Sequence, residues 1–163
     1  MRLLIIRHAV AVEPGTPGMS DDERPLTPAG AKRFKKAARG LARLEARPAA
    51  LLSSPLPRAW QTAEIAAQAW GRLAPQEAPA LVGGSLADLE DALRAYDAQA
   101  TVVLVGHEPQ VSGLLAEVLG SSASDRLAFR KGGAALVDVP GELAQGGTLL
   151  WFLPPKALRA IVG

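Results

Sequence analysis

The chain has 163 residues, 48% of them hydrophobic, and its 18 Lys and Arg against 16 Asp and Glu give a net charge of +2. This length suits one hydrophobic core, so we predict a single domain spanning residues 1–163. The basic residues are scattered along the sequence and aromatic residues make up only 4%, which argues against a nucleic-acid partner.

Cysteine is absent and histidine occurs only twice, at His8 and His107. Disulfides and thiolate nucleophiles are therefore excluded, and too few ligands remain for a usual catalytic metal site. We predict chemistry that needs neither a metal nor a cofactor. Arg7 and His8 interrupt the N-terminal apolar run before it reaches the length of a signal peptide, and no run approaches the roughly 20 apolar residues of a membrane helix. A cytoplasmic protein without membrane contact is the expectation.

The first half of the chain alternates between strand and helix signals. Residues 2–6 and 49–53 are branched apolar runs without polar alternation, typical of strands buried on both faces of a parallel sheet. Between them, Thr27 and Pro28 form an N-cap and first helical position. The apolar residues that then recur at helical spacing are Ala31, Phe34, Ala38, Leu41 and Leu44. A second helix is predicted from Pro57 to Trp70, closed by Gly71.

The second half continues the alternation. Ser85 and Asp88 resemble a capping box at the start of a helix. The buried face of this helix would consist of Leu86, Leu89, Leu93 and Tyr96. Residues 101–106 predict another buried strand, Pro109–Leu119 a helix ending at Gly120, and "AALVDV" and "TLLWFL" two more strands. Strands alternating with helices predict an α/β fold in which helices cover a mainly parallel central sheet on both faces, a three-layer α/β/α sandwich.

Polar side chains follow three of the predicted strands at the point where each strand ends. Arg7 and His8 end the first strand, Arg58 lies just past the second, and His107 ends the strand at 101–106. The carboxyl ends of parallel strands meet at one edge of a sheet, which is where such folds bind ligands. We therefore predict one site at this edge.

Two imidazoles and two guanidiniums together favour a phosphoryl ligand. Guanidinium donors match phosphate oxygens, and the helix N-termini after Ser53-Ser54 and after His107 would add backbone N–H groups. A neutral imidazole can attack phosphorus without a separate activating base. Nearby cations are expected to lower the pKa of His8 and keep it neutral. The same cations would stabilise the transition state.

Four motifs in order resemble the histidine phosphatase superfamily, and their wording is similar to its SixA-type phosphohistidine phosphatase branch. They are "RHA" at the end of the first strand, "RPLTPAG" at 24–30, "SSPLPRAWQTA" at 53–63 and "VGHEP" at 105–109. The resemblance covers residues 2 to about 154 and implies a phosphoglycerate mutase-like fold. It also implies that His8 is the nucleophile and that Arg7, Arg58 and Arg24 bind the phosphoryl group. His107 would donate a hydrogen bond to that group.

The sequence departs from the family pattern in two places. Ala9 stands where the hallmark triplet has glycine, which could crowd the phosphate pocket. No acid stands in "VGGS", where mutases and sugar phosphatases of the superfamily carry a glutamate general acid. An alkoxide leaving group needs such an acid, whereas an imidazole, with a pKa of about 6.5, does not. This absence and the short segment at 71–85 favour a protein-borne phosphohistidine as the substrate.

Several residues admit a second interpretation. Asp88 and Glu108 are candidate general acids, but a helix cap explains Asp88 and a favourable helix N-terminus explains Glu108. Arg24 could instead pair with Asp21, Asp22 or Glu23 on the surface, and either Ser53 or Ser54 could bind phosphate or cap the next helix. The three tryptophans, Trp60, Trp70 and Trp151, are predicted to serve packing.

Three functions follow from these residues. The first is a phosphatase acting on phosphohistidine of a signalling or phosphotransfer protein, such as a histidine phosphotransfer domain. The second is a phosphomonoesterase for a small phosphorylated molecule, and the third is a module that binds phosphoproteins without hydrolysis. Monomer and weak dimer both remain open.

Overall fold

A six-stranded sheet forms the middle of the protein, and the computed structural model describes residues 1–163. The strands are β1 (Arg2–Arg7), β2 (Ala50–Ser53), β3 (Pro75–Glu77), β4 (Thr101–Gly106), β5 (Ala134–Asp138) and β6 (Thr148–Leu153). Their order across the sheet is β3-β2-β4-β1-β5-β6. The apolar runs predicted to be buried on both faces, in β1 and β4, occupy its centre.

Four of the strands are parallel. β1 pairs with β4, and β2 pairs with both β3 and β4, in parallel register. β5 is antiparallel to β1, and β6 is antiparallel to β5, so the two C-terminal strands form a hairpin at one edge. Residues 3–6 and 102–105 are fully buried because helices cover both faces of the sheet. The predicted three-layer α/β/α fold with a mainly parallel sheet is confirmed.

Six helices form the outer layers. They are α1 (Pro28–Leu44), α2 (Pro57–Ala69), α3 (Ala80–Gly83), α4 (Leu86–Leu93), α5 (Gln110–Val118) and α6 (Pro155–Ala160). One hydrophobic cluster joins α1, α2 and α6 to one face of the sheet, and a second joins α3, α4 and α5 to the other. Side chains that alternate along each central strand supply both clusters. None of the helices combines the length and hydropathy that crossing a bilayer requires.

Local signals explain where the long helices begin. The Thr27 hydroxyl accepts a hydrogen bond from the Gly30 N–H at 2.9 Å, and Pro28 occupies the first turn, where its missing N–H costs nothing. Ser85 and Asp88 form both bonds of the predicted capping box. Leu44 differs from the rest of its apolar series, since it lies at the last position of α1 and is 39% exposed.

The helix that begins after Ser85 is shorter than its predicted apolar face. α4 stops at Leu93, so Tyr96 lies beyond the helix, half-buried, and its hydroxyl donates to the Gln76 side chain at 3.2 Å. Trp70 and Trp151 serve packing as predicted: their indole N–H groups donate to the carbonyl and the carboxylate of Glu45, respectively. Trp60 is half-buried on α2.

Three short elements are missing from the sequence-based prediction. β3 has three residues, begins with a proline and lies at the sheet edge, so it shows no apolar alternation. α3 is a single turn, and α6 has only six residues, the first of which is the second of two consecutive prolines. Elements this short are held by tertiary contacts, and α6 packs against α1 through Leu158.

Candidate active site

Strand register brings the two histidines together. β1 and β4 pair Arg7 with Gly106, so the next residue of each strand, His8 and His107, leaves the sheet side by side. The His8 N–H donates to the Gly106 carbonyl at 2.9 Å. The imidazole centroids of His8 and His107 lie 5.2 Å apart, with their planes inclined by 51°. Parallel pairing of adjacent strands therefore builds the predicted histidine pair.

The His8 ring is held in one tautomer. It is 5% exposed, and its Nδ1 lies 2.7 Å from the backbone carbonyl of Ala9. A carbonyl oxygen only accepts, so Nδ1 carries the proton and the lone pair lies on Nε2. The pKa of His8 is lowered to about 3, mostly by burial and in smaller part by His107 and the positive charges of Arg58 and Arg7, against the opposing effect of the Ala9 hydrogen bond. His8 is therefore neutral at pH 7, with its lone pair on Nε2.

His107 is held from the side of β2. Ser53 pairs with Val105, which places Ser54 beside His107, and the Ser54 hydroxyl lies 2.7 Å from Nε2. That hydroxyl also accepts from the Leu56 N–H, and in the Nδ1-protonated tautomer of His107 it donates its own proton to Nε2. The pKa of His107 is lowered to about 4, mostly by burial and in smaller part by the positive charge of Arg58. His107 is therefore neutral at pH 7, and in this tautomer its Nδ1–H is a donor.

Arg58 and Arg24 converge on one acidic residue. Arg58, on the first turn of α2 and 5% exposed, donates through Nη1 to the Asp21 carbonyl at 2.8 Å and approaches its carboxylate at 3.4 Å. Arg24 donates through Nε to the other carboxylate oxygen at 2.8 Å and through Nη1 to the Val12 carbonyl at 2.7 Å. Hydrogen bonding to Arg24 lowers the pKa of Asp21. Arg24 pairs with Asp21, as one interpretation predicted, but it is buried rather than on the surface. Its contact with a phosphoryl group stays a prediction.

Arg7 is held from the opposite side. Its Nη1 donates to the Phe129 carbonyl at 2.6 Å. The Phe129 N–H in turn donates to the Glu108 carboxylate at 2.7 Å, and the Ser112 hydroxyl donates to the same carboxylate. Burial lowers the pKa of Arg7, although the negative charge of Glu108 opposes this. Glu108 thus positions Phe129, the residue whose carbonyl holds Arg7.

Neither candidate general acid is free to protonate a leaving group. Asp88 accepts from the Ser85 N–H at 2.8 Å and hydroxyl at 2.7 Å, and these bonds lower its pKa. It is therefore ionised at neutral pH and functions as a helix cap. Both carboxylate oxygens of Glu108 are engaged by Ser112 and Phe129, which explains this residue without acid catalysis.

Thr62 is a residue of the site that sequence reasoning missed. Its hydroxyl donates to the Arg58 carbonyl at 2.6 Å, one helical turn earlier, and accepts from the Ala9 N–H at 3.0 Å. The hydroxyl therefore connects α2 to Ala9, the residue whose carbonyl holds His8. Its spacing of four residues from Arg58 is visible in the sequence, but its contact with Ala9 is not.

Three buried side-chain nitrogens in the protein have no hydrogen-bond partner, and all three belong to predicted site residues. They are Nε of Arg7, Nε of Arg58 and Nδ1 of His107. Unpaired buried polar atoms are rare in folded proteins because each costs about 1–3 kcal/mol. Their concentration here fits a ligand with several acceptor oxygens. No group of three or more His, Cys, Asp and Glu side chains is arranged to hold a metal.

The five predicted site residues, His8, His107, Arg7, Arg58 and Arg24, are thus brought together at the carboxyl edge of the sheet. Of the two serines predicted to bind phosphate or cap the next helix, Ser54 contacts His107. The Ser53 hydroxyl instead donates to the Ser54 carbonyl at 2.9 Å. The methyl group of Ala9 packs into the hydrophobic cluster on the α1 side.

Known proteins resemble this chain in sequence and in fold. The model of the histidine phosphatase superfamily (branch 1) matches residues 3–90. An uncharacterized protein of Picosynechococcus sp. (strain ATCC 27264 / PCC 7002 / PR-6) is 35% identical over 141 residues, which cover 82% of this chain and 82% of that protein.

Solved structures of SixA proteins are similar over nearly the whole length. The protein histidine phosphatase SixA complexed with tungstate is 26% identical, with a TM-score of 0.82 over 97% of this chain and 99% of that one. The putative phosphohistidine phosphatase SixA from Nakamurella multipartitia is 27% identical, with a TM-score of 0.74 over 94% of this chain and 95% of that one. The fold is the phosphoglycerate mutase-like fold that the motifs implied. The chain therefore belongs to the histidine phosphatase superfamily, within its SixA-type branch, and is a phosphatase of that superfamily.

Proposed function

We propose that this phosphatase removes the phosphoryl group from phosphohistidine on a protein, with His8 as the nucleophile. The observation that carries the proposal is the set of unpaired buried nitrogens of Arg7, Arg58 and His107 beside a neutral His8. Two are guanidinium donors and the third is the protonated nitrogen of His107. A phosphoryl group offers acceptor oxygens to all of them.

The first step transfers the phosphoryl group to the enzyme. Nε2 of His8 makes no hydrogen bond within the chain, and its lone pair attacks phosphorus. The Nε2–P bond forms while the bond between phosphorus and the substrate imidazole breaks. The substrate imidazole leaves as a neutral group because its other nitrogen carries a proton. The Ala9 carbonyl, which holds the proton on Nδ1 of His8, stabilises the charge that develops on the phosphorylated ring.

The second step regenerates the enzyme. Water attacks phosphorus, the Nε2–P bond breaks, and the oxygen of water leaves as part of inorganic phosphate while its released proton passes to solvent. Arg7 and Arg58 hold the equatorial oxygens through both steps, since phosphoryl transfer depends on positioning and charge stabilisation. His107 donates from Nδ1, and Arg24 adds positive charge beside Arg58.

The leaving group distinguishes this substrate from a phosphate ester. An alkoxide needs a proton from a general acid, and both candidate carboxylates are committed elsewhere, Asp88 to a helix cap and Glu108 to the Phe129 peptide. An imidazole leaves without one. The segment at 71–85 forms only the three-residue β3 and the single-turn α3, so no long insertion is present to enclose a small molecule.

The test compares substrates and looks for the intermediate. Three substrates are incubated separately with the protein in the presence of EDTA, and phosphate release is measured. The first is a histidine phosphotransfer domain that has been phosphorylated by phosphoramidate; the others are glucose 6-phosphate and phosphoserine. We expect phosphohistidine to turn over fastest, and an alkaline quench to trap phosphate on His8 but not on the His8→Ala variant. Faster turnover of glucose 6-phosphate or phosphoserine would support the phosphomonoesterase instead. Binding of the phosphorylated domain with neither turnover nor a trapped species would indicate a binding module.

A further inference from the structure

One helix carries a third of the basic residues of the chain and no acidic residue. The basic residues of α1 are Lys32, Arg33, Lys35, Lys36, Arg39 and Arg43. α6, which packs against α1, adds Lys156 and Arg159 and also lacks acids. We call these eight residues the α1–α6 cationic face. Sequence separation between the two helices hides this clustering.

The positive charges of this face are not neutralised within the protein. None of the eight residues forms a salt bridge; Arg43 contacts only the Ile161 carbonyl, at 3.3 Å. Lys32 and Lys36, Lys35 and Arg39, and Arg39 and Arg43 are like charges four residues apart. Such pairs destabilise a helix by about 0.2–0.5 kcal/mol each. Apolar packing of α1 and α6 on each other and on the sheet therefore offsets the repulsion between these charges.

The opposite helical layer has the opposite charge. α2 carries one base and one acid, so α1, α2 and α6 together have a formal charge of +8. In the other layer, α4 has three acids and α5 one, while α3 has no charge, so these helices have a formal charge of −4. The small net charge of +2 therefore conceals a strong separation of charge across the sheet.

The cationic face extends to residues that hold His8 in place. A cavity of about 200 Å³ is lined by Arg33 of α1, Arg159 of α6, Lys131, Ala9 and Gly132. Two of these residues touch His8 directly: the Ala9 carbonyl holds its Nδ1, and the Gly132 N–H donates to its carbonyl at 3.0 Å. One end of the cationic face therefore shares a cavity with Ala9, which is one residue away from His8 along the chain.

We propose that the α1–α6 cationic face docks an acidic protein surface that surrounds the substrate phosphohistidine. This inference rests on the proposed function for the identity of the phosphorylated residue. Positive charge beside the site raises the encounter rate with an acidic partner and orients it. The exposed side chains of α1 and α6 include no aromatic group for stacking on bases, and Leu44 is their one large exposed apolar residue, which leaves little apolar surface for a bilayer.

The experiment reverses charge on the cationic face and, as a match, at exposed positions outside it. Lys32→Glu/Arg33→Glu changes two exposed residues of the face, neither of them in the catalytic machinery. Arg94→Glu/Arg126→Glu makes the same change in net charge at exposed positions outside α1 and α6. Two phosphotransfer domains, one with an acidic and one with a basic surface around the phosphohistidine, serve as probes, and p-nitrophenyl phosphate serves as the small substrate.

We expect the unmodified protein to prefer the acidic domain and Lys32→Glu/Arg33→Glu to lose about tenfold in kcat/KM on it, while kcat and p-nitrophenyl phosphate turnover stay unchanged. The control variant should retain the preference. Equal losses in both variants, no preference between the domains, or tighter α1-dependent binding to duplex DNA or anionic vesicles would overturn the proposal.

Binding separates this inference from the proposed function. The His8→Ala protein cannot turn over the domains, so its dissociation constants report docking alone. A charge-dependent preference for the acidic domain without any turnover by the unmodified protein would support the docking surface and reject the phosphohistidine phosphatase. Turnover of both domains without a binding preference would support the phosphohistidine phosphatase and reject the docking surface.

Discussion

The Thr62 hydroxyl accepts a hydrogen bond from the backbone N–H of Ala9 at 3.0 Å, which ties α2 to the end of β1. Both residues are buried, and the carbonyl of Ala9 fixes the His8 ring. The Thr62 hydroxyl thus supports the position of the His8 ring through a single residue, Ala9.

Replacing Thr62 by valine removes this support without changing side-chain volume much. The Ala9 N–H and the Arg58 carbonyl each lose a partner, so we expect a loss of about 1–3 kcal/mol in the free energy of unfolding. We also expect kcat to fall roughly 10- to 100-fold with a smaller change in KM, because the His8 ring loses its fixed orientation. Thr62→Ser, which keeps the hydroxyl, should recover most of the rate; equal losses in the two variants would contradict a positioning role.

The tautomer of His8 is open to direct measurement. With its pKa lowered to about 3 by burial and its Nδ1 held by Ala9, the ring should be neutral and protonated on Nδ1 at pH 6. Long-range ¹H–¹⁵N correlation spectra distinguish the two neutral tautomers and the imidazolium. Assignment of the resonances is aided by the His107→Asn variant. A protonated Nε2, or an imidazolium at pH 6, would remove the basis for nucleophilic attack.

Stability should decrease as the pH is lowered below about 6.5. The unfolded chain protonates both histidines near that pH, whereas the folded protein resists until about pH 3 for His8 and about pH 4 for His107. In between, the unfolded state binds more protons, so each histidine removes up to about 1.4 kcal/mol of stability per pH unit.

Urea unfolding between pH 5 and 6.5 isolates this effect. The carboxyl groups with lowered pKa, Asp21, Glu23 and Asp88, titrate in the unfolded chain nearer pH 4 and contribute little in that range. The His8→Asn variant should show about half the pH dependence. An unchanged slope in that variant would mean that His8 titrates alike in both states.

Glu108→Gln distinguishes a positioning carboxylate from a general acid. The amide keeps one acceptor for the Phe129 N–H but loses the charge and the acceptor for Ser112, so we expect a loss of about 1–3 kcal/mol in stability. Turnover of aryl and alkyl phosphomonoesters should fall by the same modest factor. If Glu108 were the acid, alkyl esters, whose leaving groups need a proton, would lose far more activity than aryl esters.

Ala9→Gly restores the glycine of the family hallmark. Because the Ala9 methyl group packs into the α1-side cluster, it does not crowd the phosphoryl site. We expect unchanged turnover and a loss of about 1–2 kcal/mol in stability, from greater backbone freedom in the unfolded chain and the lost buried methyl. A marked gain in kcat would show that the methyl group obstructs catalysis.

Much of the fold is readable from local patterns. Residues 2–6 and 101–106 lack polar alternation because both faces of β1 and β4 are covered, and this predicts central parallel strands. Thr27-Pro28 and Ser85-Asp88 mark helix starts because their capping bonds form within a few residues. β3 and α6 carry no comparable signal, because contacts distant in sequence stabilise them.

The sequence by itself determined the strand ends that carry Arg7, His8, Arg58 and His107, because apolar burial and the parallel architecture bring such ends to one edge. Only the tertiary structure decided the proton position on His8 and the shared Asp21 contact of Arg24 and Arg58. It also decided the hydrogen-bond partners of Glu108 and Thr62 and the grouping of α1 with α6 into one charged face. The contacts of Arg58, Glu108 and Thr62 cross 20 or more residues, and the charged face depends on the packing of two helices, so no local pattern encodes them. The Ala9 carbonyl that holds the adjacent His8 ring is itself positioned by the distant Thr62.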